Sequence, residues 1–207
     1  MRTIEIHPEE AMASALRTAA DALQRQEAVV AYPTESGYAL GSALGVASAR
    51  KRIQRVRGLG GQHPWSLLCP DMDCLRAYAR ADEATVRRIA EEERGAYTFL
   101  LPPAEGLPEE LPPKGRPSVG IRIAGHPVAR GLVETLGAPL VSTSARPSGE
   151  EWALDDPIAI AEECGDSVDL LLDAGTVPPN PSTVVDLTGE EPVIVRYGAG
   201  DPGPFGG

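Results

Sequence analysis

Cysteine, aromatic side chains, lysine and long apolar runs are all scarce in this chain, and each scarcity removes a class of protein. Three cysteines in 207 residues (Cys69, Cys74 and Cys164) are too few and too scattered for a disulfide framework or a zinc site, and they fit a reducing, cytoplasmic setting. Their positions in an expected strand and two expected helices give them a structural role, since buried thiols are common there. The three histidines (His7, His63 and His126) show no metal-ligand spacing. No apolar run approaches the ~18 residues of a membrane-spanning helix. The start, Met1-Arg2-Thr3-Ile4-Glu5, lacks the basic-then-apolar layout of a secretory signal. Phosphate loops of the Gly-x4-Gly-Lys-Ser/Thr kind, Gly-x-Gly-x-x-Gly fingerprints and Gly-x-Ser-x-Gly elbows are missing too. A nucleotide, if bound, needs another loop set.

What is present is a chain with 42% apolar residues, which argues against disorder and suffices for a packed core. Net charge is −11, unlike a globally basic nucleic-acid binder. The charge is unevenly spread. Residues 36–70 hold no acid but carry Arg50, Lys51, Arg52, Arg55 and Arg57, for +5. Residues 111–149 set Lys114, Arg116, Arg122, Arg130 and Arg146 against Glu134 alone, for +4, which leaves −20 elsewhere. An acidic body with two basic windows suits a focused cleft for a small anion. A solvated helix face explains the run from Arg50 to Arg57 equally well. Arginine outnumbers lysine 17 to two, a bias that genome composition accounts for as readily as chemistry.

Periodicity predicts strands over residues 3–6, 28–32, 66–69, 97–101, 118–123, 140–143, 168–172, 183–187 and 193–196. Pro33 is expected to end the second of these. Helices are expected from Pro8 to about residue 26, over 46–57, 71–78 with Asp71 as cap, 82–94, 126–136 closed by Gly137, and 155–164. A proline-rich loop fills 102–117. Alternating strands and helices argue for an α/β fold with a twisted, mixed sheet and flanking helices. No linker or repeat divides the chain, so one domain over 1–198 is expected, followed by a loose Gly/Pro-rich tail over 199–207.

Four strand-end segments are rich in hydroxyls, glycine or arginine: Tyr32-Pro33-Thr34-Glu35-Ser36-Gly37-Tyr38-Ala39-Leu40-Gly41, Arg55-Val56-Arg57, Ser118-Val119-Gly120-Ile121-Arg122, and Val141-Ser142-Thr143-Ser144-Ala145-Arg146-Pro147-Ser148-Gly149. They lie where α/β sheets place their ligand crevice. Pro181-Ser182-Thr183 and Val195-Arg196 add hydroxyls and an arginine near the C-terminus. Singly, the first reads equally as an ordinary turn and the Ser-Thr-Ser run as a loop cap. Arg122 is different: a guanidinium inside an apolar strand needs a carboxylate or phosphate partner.

Taken in order, these segments resemble the YrdC-like family of threonylcarbamoyl-AMP synthases, most closely its YciO-like branch. The latter placement rests on Ser36-Gly37-Tyr38-Ala39-Leu40-Gly41, Tyr97-Thr98-Phe99, Leu140-Val141-Ser142-Thr143-Ser144 and Asp169-Leu170-Leu171-Leu172-Asp173-Ala174-Gly175. The resemblance implies a sheet with a concave basic cavity and an enzyme that condenses L-threonine, bicarbonate and ATP with pyrophosphate release. Its product feeds N6-threonylcarbamoyladenosine formation on tRNA, and some members bind tRNA or double-stranded RNA. By the same resemblance Thr34, Arg122, Ser142 and Ser182 contact threonine, with His63 on a loosely matched loop. Arg55 and Arg57 face the phosphates beside Ser144 and Arg146, and Ser118, Ser144, Ser148 and Arg196 line the nucleotide. Mg²⁺ accompanies ATP, and no protein metal ligand is assigned.

Arg55 stands where the family has lysine, which trades a compact ammonium for a planar fork. Arg146 stands where it has asparagine. Ala39 replaces a glycine, so a left-handed backbone there would cost ~1 kcal/mol. Two other functions stay open: a nucleotide- or RNA-binding protein without efficient synthase activity, and a related adenylating or carbamoyl-transferring enzyme acting on another acid.

Overall fold

The computed structural model describes residues 1–6, 9–25, 27–58, 63, 65–92, 94–105, 107–108, 111, 118–150 and 152–206, with backbone only at 9–11. Among these residues ten strands form one mixed sheet in the order β1-β8-β2-β3-β7-β4-β6-β5-β9-β10. These are Arg2–Glu5, Val30–Thr34, Gly37–Ala43, Ser66–Cys69, Tyr97–Leu101, Val119–Ile123, Leu140–Ser144, Leu170–Asp173, Thr183–Asp186 and Val193–Arg196 (β1 to β10). Six helices pack on it: α1 Glu9–Arg25, α2 Ala47–Arg57, α3 Met72–Tyr78, α4 Glu83–Glu91, α5 Pro127–Leu136 and α6 Pro157–Cys164. The expected α/β class with a mixed sheet is what forms, and no helix among the described residues is long and apolar enough to cross a membrane.

Helix limits follow local chemistry. Asp71, Asp82 and Asp156 each accept from a backbone N–H of the first turn of α3, α4 and α6, at 2.8 Å. Gly137 closes α5 in the left-handed region. Helix α4 stops at Glu91, short of the expected residue 94.

The main departure concerns residues 33–43. Pro33 does not end the second strand; it pairs with Tyr38, and residues 37–43, expected as loop, form β3 against both β2 and β7. Beyond Ala31 β2 has lost its other neighbour β8, so a proline at 33 breaks no ladder on that side. The turn between the strands places Gly37 at φ +88°, a region that disfavours other residues. Ala39 lies in the ladder opposite Tyr32 and Ser144, so the strain expected there does not arise. The C-terminal segment is not loose either. Ala199 N–H donates to Pro181 O, and Phe205 is buried against Tyr97 and Phe99 with ring centroids 5.6 Å away.

The two faces of the sheet are covered unequally. One packs Tyr38, Leu40, Leu67, Phe99, Ile121 and Val141 against α2, α3, α4 and α6. On the other, α1 (Ala15, Leu16, Ala19, Leu23) and α5 (Val128, Leu132, Val133, Leu136) cover Val30, Tyr32, Ala39, Leu68, Leu140, Leu170 and Leu172. That cover stops part-way along the strands.

Candidate functional site

Side chains alternate faces along a strand, so residues two apart share one. On the face that α1 and α5 partly cover, β7 reads Leu140, Ser142, Ser144 and β4 reads Leu68, Ser66. Strand β6 contributes Arg122, Gly120 and the preceding Ser118. Register aligns Ser66 with Ser142 and Gly120, and Leu68 with Leu140 and Arg122. Beyond the leucines this face is therefore hydroxyl, glycine and arginine. Thr98 of β5 joins it, as the register continued from Phe99 and Ile121 sets it opposite Arg122.

Arg122 is the best-held of these groups. Its Nη2 donates to Ser36 Oγ at 3.0 Å and to Gly95 O at 2.9 Å, with the Glu35 carboxylate 3.7 Å away. Burial pulls its pKa down, and Glu35 and Tyr32 oppose that shift. Its Nε is buried with no acceptor among the described residues. The Thr34 hydroxyl donates to Gly37 O at 2.8 Å and accepts from Ser36 N–H at 3.1 Å. Thr34 thus builds the turn that presents Ser36, and toward a ligand its oxygen can only accept. Ser142 Oγ lies 2.6 Å from the hydroxyl of Tyr32, whose pKa burial pushes up to about 12. Gly41, opposite Ser142, leaves room for that ring: a Cβ there would come within 2.8 Å of it.

Arg57, the last residue of α2, is buried and donates through Nη1 to Arg146 O at 3.1 Å and Ser144 Oγ at 3.3 Å. Burial first, then the charge of Arg146, lowers its pKa to about 10, and its Nε also lacks an acceptor among the described residues. Arg196 donates to Ser182 O at 2.7 and 3.0 Å and to Ser182 Oγ at 3.1 Å, while Thr98 Oγ1 lies 2.8 Å from that same Oγ. Its pKa is depressed by desolvation, then by repulsion from Arg122 and Arg146. Arg57, Arg146, Arg196 and Arg122 thus sense one another in sequence. Four guanidiniums gather where four chain-distant segments meet. Like charges so placed repel, and an anion relieves that repulsion.

Not every expected residue joins them. Arg55 is exposed and makes no hydrogen bond or ion pair among the described residues. His63 Nε2 sits 3.0 Å from Thr143 Oγ1, and its ring meets Trp65 edge-on. Thr143 alternates away from Ser142 and Ser144, so the contact sets His63 apart from them. Ser118 and Ser148 flank the site, and among the described residues their side chains make no hydrogen bond to the arginines. In the run from Arg50 to Arg57, Arg50 is buried in α2 and Arg52 pairs with Asp169, while Arg57 donates to Ser144 and Arg146. Lys114 and Arg116 lie outside the described residues. Sequence reading singled out the segment that holds Tyr32, Glu35 and Ser36 but gave these three, and Thr98, no individual role. Thr98 had a signal, a lone hydroxyl between Tyr97 and Phe99 in a strand. Among the described residues no group of three His, Cys, Asp or Glu side chains could hold a metal ion.

Comparison with known proteins decides the family. The Sua5/YciO/YrdC family, described as "Telomere recombination", matches residues 22–198. The chain belongs to the Sua5/YciO/YrdC family. Among its relatives, YciO of Escherichia coli (strain K12) is 36% identical over 200 residues, 97% of each chain. The crystal structure of E. coli YciO superposes with a TM-score of 0.91, covering 99% of this chain and 98% of that one. A threonylcarbamoyl-AMP synthase of Thiobacillus denitrificans is 33% identical over 168 residues, 79% of this chain and 86% of its own. P. abyssi Sua5 complexed with L-threonine is 27% identical with a TM-score of 0.83, covering 95% of this chain and 56% of Sua5. Placement within the Sua5/YciO/YrdC family agrees with the resemblance that the ordered segments carry.

Proposed function

We propose that this protein is a threonylcarbamoyl-AMP synthase-like nucleotidyltransferase that joins L-threonine, bicarbonate and ATP on the uncovered half of the sheet face. One observation carries the reading: Arg57, Arg122, Arg146 and Arg196 gather beside Thr34, Ser142, Ser144 and Ser182, with two buried guanidinium Nε groups lacking acceptors among the described residues. Such orphaned donors suit oxyanions of a carboxylate or phosphate. The relatives named threonylcarbamoyl-AMP synthase and the threonine complex of P. abyssi Sua5 support it further.

In this reading Arg122 takes the threonine carboxylate, and Ser142 and Ser182 face the rest of the amino acid. Arg57 and Arg146 hold ATP phosphates, with Ser144 and Ser148 at their edge, Arg196 at the ribose, and Ser118 at the rim. Arg55, two residues before Arg57, adds positive field without a fixed contact. The threonine ammonium first gives up a proton; the free amine then takes up carbon from bicarbonate, releasing water and leaving a carbamate. A carbamate oxygen then attacks the α-phosphorus of ATP; the bond to the bridging oxygen breaks and pyrophosphate departs. Positioning and charge neutralisation supply the catalysis, and no covalent nucleophile is needed. Mg²⁺ would enter with ATP as the ion that its phosphates carry.

The extra cation Arg146 favours a second reading: a nucleotide- or RNA-end-binding protein that holds phosphates without turnover. Pyrophosphate release from ATP with bicarbonate and Mg²⁺, with and without L-threonine, separates them. Threonine-dependent release supports the synthase. Nucleotide binding without release supports the second reading, and release driven by another acid points to a related adenylating enzyme. Salt-dependent binding of tRNA or double-stranded RNA is the corresponding test for a polynucleotide partner.

A further inference from the structure

The chain contains nine aromatic residues, two Trp, five Tyr and two Phe. Six are buried and Tyr78 is half-buried; the remaining two, Trp152 and Tyr197, are 51% and 69% exposed. Both belong to segments that carry an arginine of the cluster. Tyr197 follows Arg196, and Trp152 belongs to a closed loop that begins at Arg146.

The loop is defined by backbone hydrogen bonds. Leu154 N–H donates to Ala145 O at 2.7 Å, Tyr38 N–H donates to Leu154 O at 3.0 Å, and Ala145 N–H donates to Tyr38 O at 2.8 Å. Glu150 N–H donates to Pro147 O at 3.2 Å, closing the turn. The chain therefore runs out through Arg146 and Pro147 and returns through Trp152 and Ala153 alongside them. Its two supports are the other walls of the site. Ser148 sits so tightly on Gly58, the residue after Arg57, that a Cβ there would collide with its hydroxyl. Ala153 lies over Gly37, whose added Cβ would stand 3.3 Å from the alanine's. A half-exposed indole is thus carried on the same loop as Arg146 and Ser148. An indole face stacks well on a nucleobase, and this stacking is worth about 1–3 kcal/mol per base.

We propose that Trp152 is the base-stacking residue of the nucleotide site: the purine of ATP lies on its indole while the phosphates lie on Arg57 and Arg146. The assignment rests on the nucleotide reading above and deepens it. Stacking uses a π-face that every purine offers, so GTP shares the contact.

The test is equilibrium titration of the full chain with ATP and, as a base-free probe, inorganic tripolyphosphate. Trp152→Ala weakens ATP binding about 5- to 150-fold, the range that base stacking supplies, and leaves tripolyphosphate affinity within about two-fold. Trp152→Phe restores most of the loss. ATP quenches the wild-type tryptophan fluorescence and tripolyphosphate does not. Equal loss of both ligands in Trp152→Ala, or no loss of either, overturns the assignment. So does a loss of ATP binding confined to Tyr197→Ala, which moves the base to β10. Trp152-dependent capture of an RNA oligonucleotide with ATP affinity unchanged replaces it with a polynucleotide contact. If the wild-type protein binds neither ATP nor tripolyphosphate, the nucleotide reading fails along with it.

Discussion

Two halves of one sheet face, built from the same strands, have opposite chemistry. Where α1 and α5 lie over it, β4 and β7 present Leu68 and Leu140, and Val30, Ala39 and Leu170 fill the remaining contacts. One side-chain step farther along the same strands stand Ser66 and Ser142, and one beyond that Ser144, with Gly120 and Thr98 on neighbouring strands. The apolar half is explained by its helical cover. Among the described residues no helix covers the polar half, which is instead wired by hydroxyl pairs and bordered by guanidiniums whose charges repel. A surface that strains its own electrostatics is arranged for something other than the stability of the fold.

The contrast can be broken from either side. On the proposed reading the largest effect comes from Arg122→Ala, expected to cut threonine-dependent pyrophosphate release by about 100- to 1000-fold, as removal of a preorganised charge-stabilising donor does. Circular dichroism checks that the variant is folded, and unchanged turnover would contradict the role. In the covered half, Leu132→Ala should destabilise by ~3 kcal/mol, read by urea unfolding, while specific activity of the folded protein stays within about two-fold. Ser142→Ala leaves the buried Tyr32 hydroxyl without its partner and is expected to cost about 1–2 kcal/mol in the same assay. A smaller change of opposite sign is expected for Arg146→Asn. It relieves repulsion on Arg57 and Arg196 and stabilises by ~0.5 kcal/mol, a gain that added salt should erase; tripolyphosphate binding should weaken.

The smallest effect is a pH dependence on the covered side. Val128 N–H donates to His126 Nδ1 at 3.3 Å at the start of α5, which needs a neutral ring. Burial holds the His126 pKa below its ordinary 6.5. The unfolded chain therefore takes up the proton first, and stability falls as pH drops from about 6.5 toward the depressed native value. His126→Asn should flatten that part of the stability profile.

Much of the fold is legible in local chemistry. The strands at 66–69 and 97–101 and the caps at Asp71 and Gly137 follow from residue type alone. Strand β3 escapes because Gly37, Gly41, Ser42 and two alanines carry little strand propensity; pairing on both edges makes it a strand. Phe205 escapes because glycines and prolines around it hide a single anchoring side chain. In the site, Arg122 announces itself as a charge within an apolar strand. The rest of the cluster does not. Arg50 and Arg57 both lie on the buried side of α2, yet only Arg57 is placed at the end of β7. Sheet order, to which no local signal points, brings Arg122, Arg146 and Arg196 together.

Titration calorimetry with L-threonine on the wild-type protein and on folded Arg122→Ala tests the central claim most directly. Saturable binding to the wild type, lost in Arg122→Ala, is the expected result. Absence of threonine binding to the wild type, or equal binding to both proteins, would contradict the assignment of the uncovered half as the amino-acid site.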